Sequence, residues 1–166
     1  MPVPATPFLG RETELAQVCD LLTRDDIRLL TLTGAGGTGK TRLALQSAGA
    51  LADLYPDGIF WVPLAPLRDP ELVLQGAAQA VGAEDSLAAH IGDKQLLLLL
   101  DNFEHLTEAA TDAAALLGSC PNLSLLVTSR EPLHVAGEQE YPVPPLAHPE
   151  GIDFFNARAR AIRPDF

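Results

Sequence analysis

The chain has 166 residues, a formal net charge of −11, and 47% hydrophobic against 20% charged residues. That length and composition suit one globular domain with a sizeable core and exclude a disordered tail. The acidic balance opposes direct binding to nucleic-acid phosphates or anionic lipid heads, and the longest apolar run, Leu96 to Leu100, is strand-sized rather than membrane-spanning.

The opening residues MPVPATPFLGRE lack the basic head and apolar middle of a secretory signal, and residues 1–7 read as a lead-in. Leu15, Val18, Leu21 and Leu22 recur at helical spacing and predict a helix from Glu12 to Arg24. Arg28 to Thr33 (RLLTLT) is a short β-rich run leading straight into glycines, and a helical pattern resumes from Lys40 to Leu54. Gly58 to Leu64 (GIFWVPL) reads as a second strand with Phe60 and Trp61 as core aromatics, its flanks marked by Pro56 and Pro63. Asp69 is a candidate N-cap, and Pro70 a first-turn residue, for a helix reaching about Val81.

Lys94 to Asp101 (KQLLLLLD) has the uninterrupted apolar character of a parallel strand covered on both faces. A helix is expected from about Leu106 to Leu117, then a fourth strand over Leu123 to Ser129 and a short fifth over Glu140 to Val143. Gly151 to Ala161 reads as a last helix beyond the prolines near Pro144. Strand and helix alternate throughout, which predicts an α/β fold with a largely parallel sheet. Cys19 and Cys120 stand in no CxxC or Cys/His cluster, so disulfide and zinc frameworks are not expected and a reducing cytoplasm is the default compartment.

GAGGTGKT, formed by Gly34, Ala35, Gly36, Gly37, Thr38, Gly39, Lys40 and Thr41, satisfies GxxxxGK[ST] between a predicted strand and a predicted helix. Glycines let backbone N–H groups converge on phosphate oxygens, and the helix start adds its positive dipole end. Lys40 would reach the β- and γ-phosphates, and the Thr41 hydroxyl would take one Mg²⁺ position. The chain uses lysine only twice, at Lys40 and Lys94, and one of them falls inside this loop. Asp101, at the carboxyl end of an apolar strand, is poised for the same metal. At the end of the fourth strand Ser129 or Arg130 could face the terminal phosphate, and a forked, permanently charged arginine suits that task. After Asp101 comes the amide Asn102, which cannot act as a general base, so Glu104 becomes the candidate base; a solvated helix-start glutamate explains it equally well. His90, His105, His134 and His148 are scattered and read as ordinary histidines.

FLGRE, GAGGTGKT, IFWVPLA, LLLLLDNFEH, LLVTSRE and YPVPPL together resemble, in content and order, the STAND-class signal-transduction ATPases of the NB-ARC type. The similarity extends from about Thr6 to Phe166, with bacterial AfsR-like and LuxR-type transcriptional activators as the nearest likeness. The resemblance implies a P-loop NTPase three-layer αβα sandwich of the ASCE type, with a mainly parallel five-stranded sheet. It implies that Phe8, Leu9, Gly10 and Arg11 lie near adenine and ribose, with Arg42 beside the phosphate loop, which favours ATP or ADP over GTP. Arg130 would match the family's sensor arginine. The implied protein is a switch, ADP-bound at rest and a nucleotide-dependent homo-oligomer when triggered, with residues 8–166 as its nucleotide-binding domain. The helical and winged-helix segments and the GLPL-like motif of the family are not found in these residues, so regulatory domains of a longer chain are expected partners. Asn102 stands where many relatives carry a second acid, which implies slow Mg²⁺-dependent hydrolysis.

Two other readings remain open at this level. A P-loop small-molecule kinase would want an arginine lid, for which Arg158, Arg160 and Arg163 are the available residues. A truncated remnant would bind nucleotide without turnover. A GTPase is disfavoured, because no [NT]KxD segment occurs and Lys94 is followed by Gln95.

Overall fold

The structure, a computed structural model, describes residues 10–145. Phe8, Leu9 and the last expected helix from Gly151 to Ala161, with its arginines, lie outside the described residues.

Five strands form one sheet: β1 (Leu29–Thr33), β2 (Ile59–Pro63), β3 (Leu96–Asp101), β4 (Leu123–Thr128) and β5 (Glu138–Pro142), in spatial order β2-β3-β4-β1-β5. Every pairing is parallel; Leu29 stands opposite both Leu125 of β4 and Glu138 of β5. Strand β4 is thus inserted between the strand that leads into the glycines and the strand that ends in Asp101, which is the ASCE order.

Among the described residues five α-helices cover the sheet: α1 (Glu12–Leu22), α2 (Lys40–Ala50), α3 (Leu72–Val81), α4 (Leu87–Ile91) and α5 (Ala110–Ser119). The leucine run of β3 explains the layering. All six of its residues are buried, and alternate side chains enter opposite cores. Leu96, Leu98 and Leu100 pack with Val73 and Ala77 of α3, Ile91 of α4 and Ala113 of α5. Leu97 and Leu99 pack with Val18 and Leu22 of α1 and with Leu43, Ala44 and Ala48 of α2. Phe60 and Trp61 are likewise divided, one against each core, and both are only partly buried because β2 is an edge strand.

Helix α1 stops two residues before the expected Arg24, and β5 begins two residues before the expected Glu140; four larger differences also appear. The helix expected to reach Leu54 stops at Ala50 and gives way to a 3-10 turn over Ala52–Leu54. The helix expected from Leu106 begins at Ala110, after 3-10 turns over Phe103–His105 and Thr107–Ala109; the buried side chains of Phe103, Leu106 and Ala109 hold those turns against the core. Helix α3 begins at Leu72, and the Asp69 carboxylate accepts the Glu71 N–H (3.0 Å) in the turn before it. The short helix α4 had no counterpart in the reading; its N-cap Ser86 hydroxyl accepts the Ala89 N–H, and Leu87 and Ile91 anchor it.

Candidate functional site

The chain leaves β1 toward β2 and leaves β4 toward β5, in opposite directions across the sheet. A crevice at the carboxyl ends of two such neighbouring strands is the favoured ligand position in open α/β sheets. The glycine loop runs from Gly34, directly after β1, to Gly39, directly before α2. Gly34 has φ +142°, and a Cβ there would lie 2.7 Å from the Val143 carbonyl oxygen, so the loop's first residue tolerates no side chain. Gly39 takes the left-handed N-cap position of α2 at φ +87°. Ala35, Gly36, Gly37 and Gly39 are exposed, whereas Thr38 is buried and its hydroxyl donates to the Ala35 carbonyl (3.0 Å). No side chain caps α2 and no acid occupies its first turn, so its positive end faces the loop uncompensated.

Lys40 curls back over this loop, donating to the carbonyls of Gly34 (2.7 Å) and Ala35 (2.9 Å). Burial pushes its ammonium below the ordinary lysine value, and Arg130 pushes the same way, against Glu104 and Asp101. One helical position on, the Thr41 hydroxyl donates to Asp101 Oδ1 (2.6 Å). The same oxygen accepts the hydroxyl of Thr128 (2.6 Å), which in turn accepts the Asn102 N–H (2.9 Å). Thr33, the last residue of β1, donates to Glu140 of β5 (2.6 Å). The sequence-predicted Lys40, Thr41 and Asp101 are therefore brought together. Thr128 is a member that sequence reasoning missed, since a threonine in a strand carries no signal of its own.

Arg130 and Glu104 also converge. The Arg130 guanidinium donates to Glu104 Oε1 (3.2 Å), and Nη2 would lie 3.9 Å from a Cβ placed on Gly36. Glu104 is only 19% exposed, so it is no solvated helix-start residue; Arg130 is 65% exposed. Both border a cleft of about 480 Å³ with Arg68, Asn102, His105 and Ser129. Ser129 itself is buried, its hydroxyl accepting the Glu131 N–H (3.4 Å), which leaves Arg130 as the side chain presented outward. Asn102 adopts φ 70°, ending β3, and His105 Nε2 lies 2.9 Å from the Leu67 carbonyl oxygen.

Arg11 is placed differently from a nucleotide-facing side chain. It is 4% exposed, and its guanidinium donates to the Thr38 carbonyl (2.8 Å), the Pro144 carbonyl (2.6 Å) and Glu14 (3.3 Å). It braces the back of the glycine loop against the chain that follows β5. Gly10 lies beside it at the start of the described residues, and Arg42 is half-buried on the first turn of α2. Cys19 and Cys120 are free thiols, each raised above its ordinary pKa by burial. No described helix is long and apolar enough to cross a membrane.

No protein-family model matches the chain. A protein named as an HTH-type transcriptional regulator of Mycobacterium tuberculosis is 44% identical over 149 residues, covering 84% of this chain and 17% of that protein. Regulatory protein AfsR of Streptomyces griseus is 30% identical over 149 residues, covering 78% of this chain and 15% of its own length. The chain thus spans less than a fifth of the length of these relatives. Among solved structures, Cdc6p from Pyrobaculum aerophilum superimposes with a TM-score of 0.67 at 19% identity, over 97% of this chain and 52% of that one. A STAND protein with a tetratricopeptide repeat sensor from Pyrococcus horikoshii reaches a TM-score of 0.59 at 17% identity, over 99% of this chain and 27% of that one. With the parallel five-stranded sheet, these likenesses establish an α/β P-loop NTPase fold.

Proposed function

We propose that this chain is the ATP- and ADP-binding core of a signal-transduction switch of the STAND class, NB-ARC type, belonging to a longer bacterial transcriptional regulator. The carrying observation is the convergence of Lys40, Thr41 and Asp101 at the mouth of an uncapped helix reached through a glycine loop. On that reading residues 8–166 form the nucleotide-binding domain, working in the cytoplasm. The relatives named as regulators, in each of which this chain matches one segment, support it.

The loop's backbone N–H groups and the N-terminus of α2 would receive the phosphate oxygens. Lys40 would exchange its two neutral carbonyl acceptors for anionic phosphate oxygens, which adds ion pairing to the hydrogen bonds. Thr41 and Asp101 offer a hydroxyl and a carboxylate oxygen 2.6 Å apart, a hard-oxygen pair that fits Mg²⁺. Thr41 and Asp101 would hold Mg²⁺, which would supply positive charge to offset that of the phosphates. The Thr41 hydroxyl can keep its proton on Asp101 while presenting a lone pair outward. Arg130 is the residue to meet a γ-phosphate, and in doing so it would release Glu104. Glu104 is then the candidate base; until that release Arg130 holds it, and Asn102, next to Asp101, is an amide where a second acid would serve, so slow turnover is expected. Phe8, Leu9 and Gly10 are proposed to line the adenine side, while Arg11 holds the loop in shape.

The test is a comparison of ATP turnover and of self-association between this chain and a version extended past Phe166. Slow hydrolysis here, with ATP-dependent oligomers in the longer chain, is the expected result. Rapid phosphoryl transfer to a small-molecule acceptor by this chain would overturn the switch reading in favour of a kinase.

A further inference from the structure

We propose that Thr128 is the positioning residue of the cation site: it fixes the Asp101 carboxylate and thereby sets how tightly the nucleotide-loaded protein holds a divalent ion. The inference rests on the nucleotide-binding reading above.

Thr128 closes β4, one residue beyond the Leu100–Val127 pair, and is therefore level with Asp101 across the sheet. It is 2% exposed, too deep to touch a nucleotide in the crevice, so any influence it has must pass through a neighbour. Its hydroxyl has one proton. The Asn102 N–H occupies a lone pair (2.9 Å), and the proton is committed to Asp101 Oδ1 (2.6 Å). A backbone amide at the end of β3 thus orients a hydroxyl on β4, and that hydroxyl orients the carboxylate. Thr41 and Thr128 both donate to Oδ1, which leaves Oδ2 clear of the pair. The two threonines divide the work: Thr41 is exposed, with an oxygen to offer an ion, and Thr128 is buried, with none.

Hydrogen bonds to a ligating carboxylate commonly govern metal affinity, and losing one costs about tenfold to a hundredfold. Thr128→Val keeps the shape and removes the hydroxyl; Thr128→Ser keeps the hydroxyl. Two quantities would be measured in each: Mn²⁺ binding to the ADP-loaded chain by electron paramagnetic resonance, and ADP affinity in EDTA by calorimetry. The account expects the valine variant to bind Mn²⁺ about tenfold or more weakly, with cation-free ADP affinity unchanged and the serine variant restored. Unchanged Mn²⁺ affinity in the valine variant overturns the proposal. So does a parallel fall in Mn²⁺ and cation-free ADP affinity, which would mark a scaffold residue only. Should Thr128→Val fail to fold, Thr128→Ala beside Thr128→Ser carries the same comparison. Failure of the unmodified chain, and of one extended past Phe166, to bind ADP at all would instead overturn the nucleotide-binding reading itself.

Discussion

The two ends of the sheet each carry a depression, and they differ in what their polar groups are already engaged with. At the amino ends a cleft of about 360 Å³ is bordered by Arg24, Arg28, Tyr55, Gln95 and Asn122. Its cations are committed to structure. Arg28 donates to the carbonyls of Leu117 (2.8 Å), Cys120 (3.1 Å) and Pro121 (3.1 Å), closing the end of α5, and Arg24 pairs with Asp26 (2.9 Å). At the carboxyl ends a lysine and an uncapped helix start meet a carboxylate held by two hydroxyls. Beside them opens the cleft of about 480 Å³ bordered by Glu104 and Arg130, so the two hollows are similar in volume and unlike in chemistry. A site is marked by polar groups whose present partners can be exchanged, rather than by the size of the hollow.

This contrast can be broken or sharpened by substitution at each end. The largest effect is expected for Lys40→Ala: ADP affinity measured by calorimetry should fall by about a hundredfold, or about 2.7 kcal/mol, as charge-assisted phosphate contacts are lost. An unchanged affinity would place the nucleotide elsewhere. Next is Gly34→Ala, whose Cβ would press on the Val143 carbonyl from a φ of +142°. A stability loss of about 2 kcal/mol in urea titration is expected from that strain. At the opposite end, Arg28→Ala should cost about 1–2 kcal/mol of stability by stripping carbonyls of their donor, yet leave nucleotide affinity untouched. A loss of affinity there would dissolve the distinction between the ends. The smallest effect is expected on an exposed helix face. Gly49 sits in α2 with nothing within 4 Å of an added Cβ, and Gly49→Ala should raise stability by about 0.5–1 kcal/mol.

Much of this arrangement was legible in the sequence because its signals were strong and local. The leucine run of β3 reads as a strand covered on both faces by its context, although leucine itself favours helix, and GAGGTGKT demanded a strand before it and a helix after it. Lys40, Thr41 and Asp101 followed from those two elements alone. Other features depend on tertiary contacts that no local pattern announces. Thr128 matters only because β4 lies beside β3, and the strand order is a property of the whole sheet. Arg11 belongs to a stretch that resembles a nucleotide-contacting motif, and only folding brings it onto Thr38 and Pro144. Helix α4 is five residues long, too short for periodicity to show. The delayed start of α5 arises because Phe103 and Leu106 are drawn into the core before regular helix can begin.

The most direct test of the central claim is calorimetric titration of the unmodified chain with ADP, ATP and GTP, with and without Mg²⁺. The account predicts saturable binding of the adenine nucleotides, tightened by Mg²⁺ for ATP, and weaker binding of GTP. Equal binding of all three would contradict the adenine preference. Absence of binding in this chain and in one extended past Phe166 would contradict the phosphate-loop site itself.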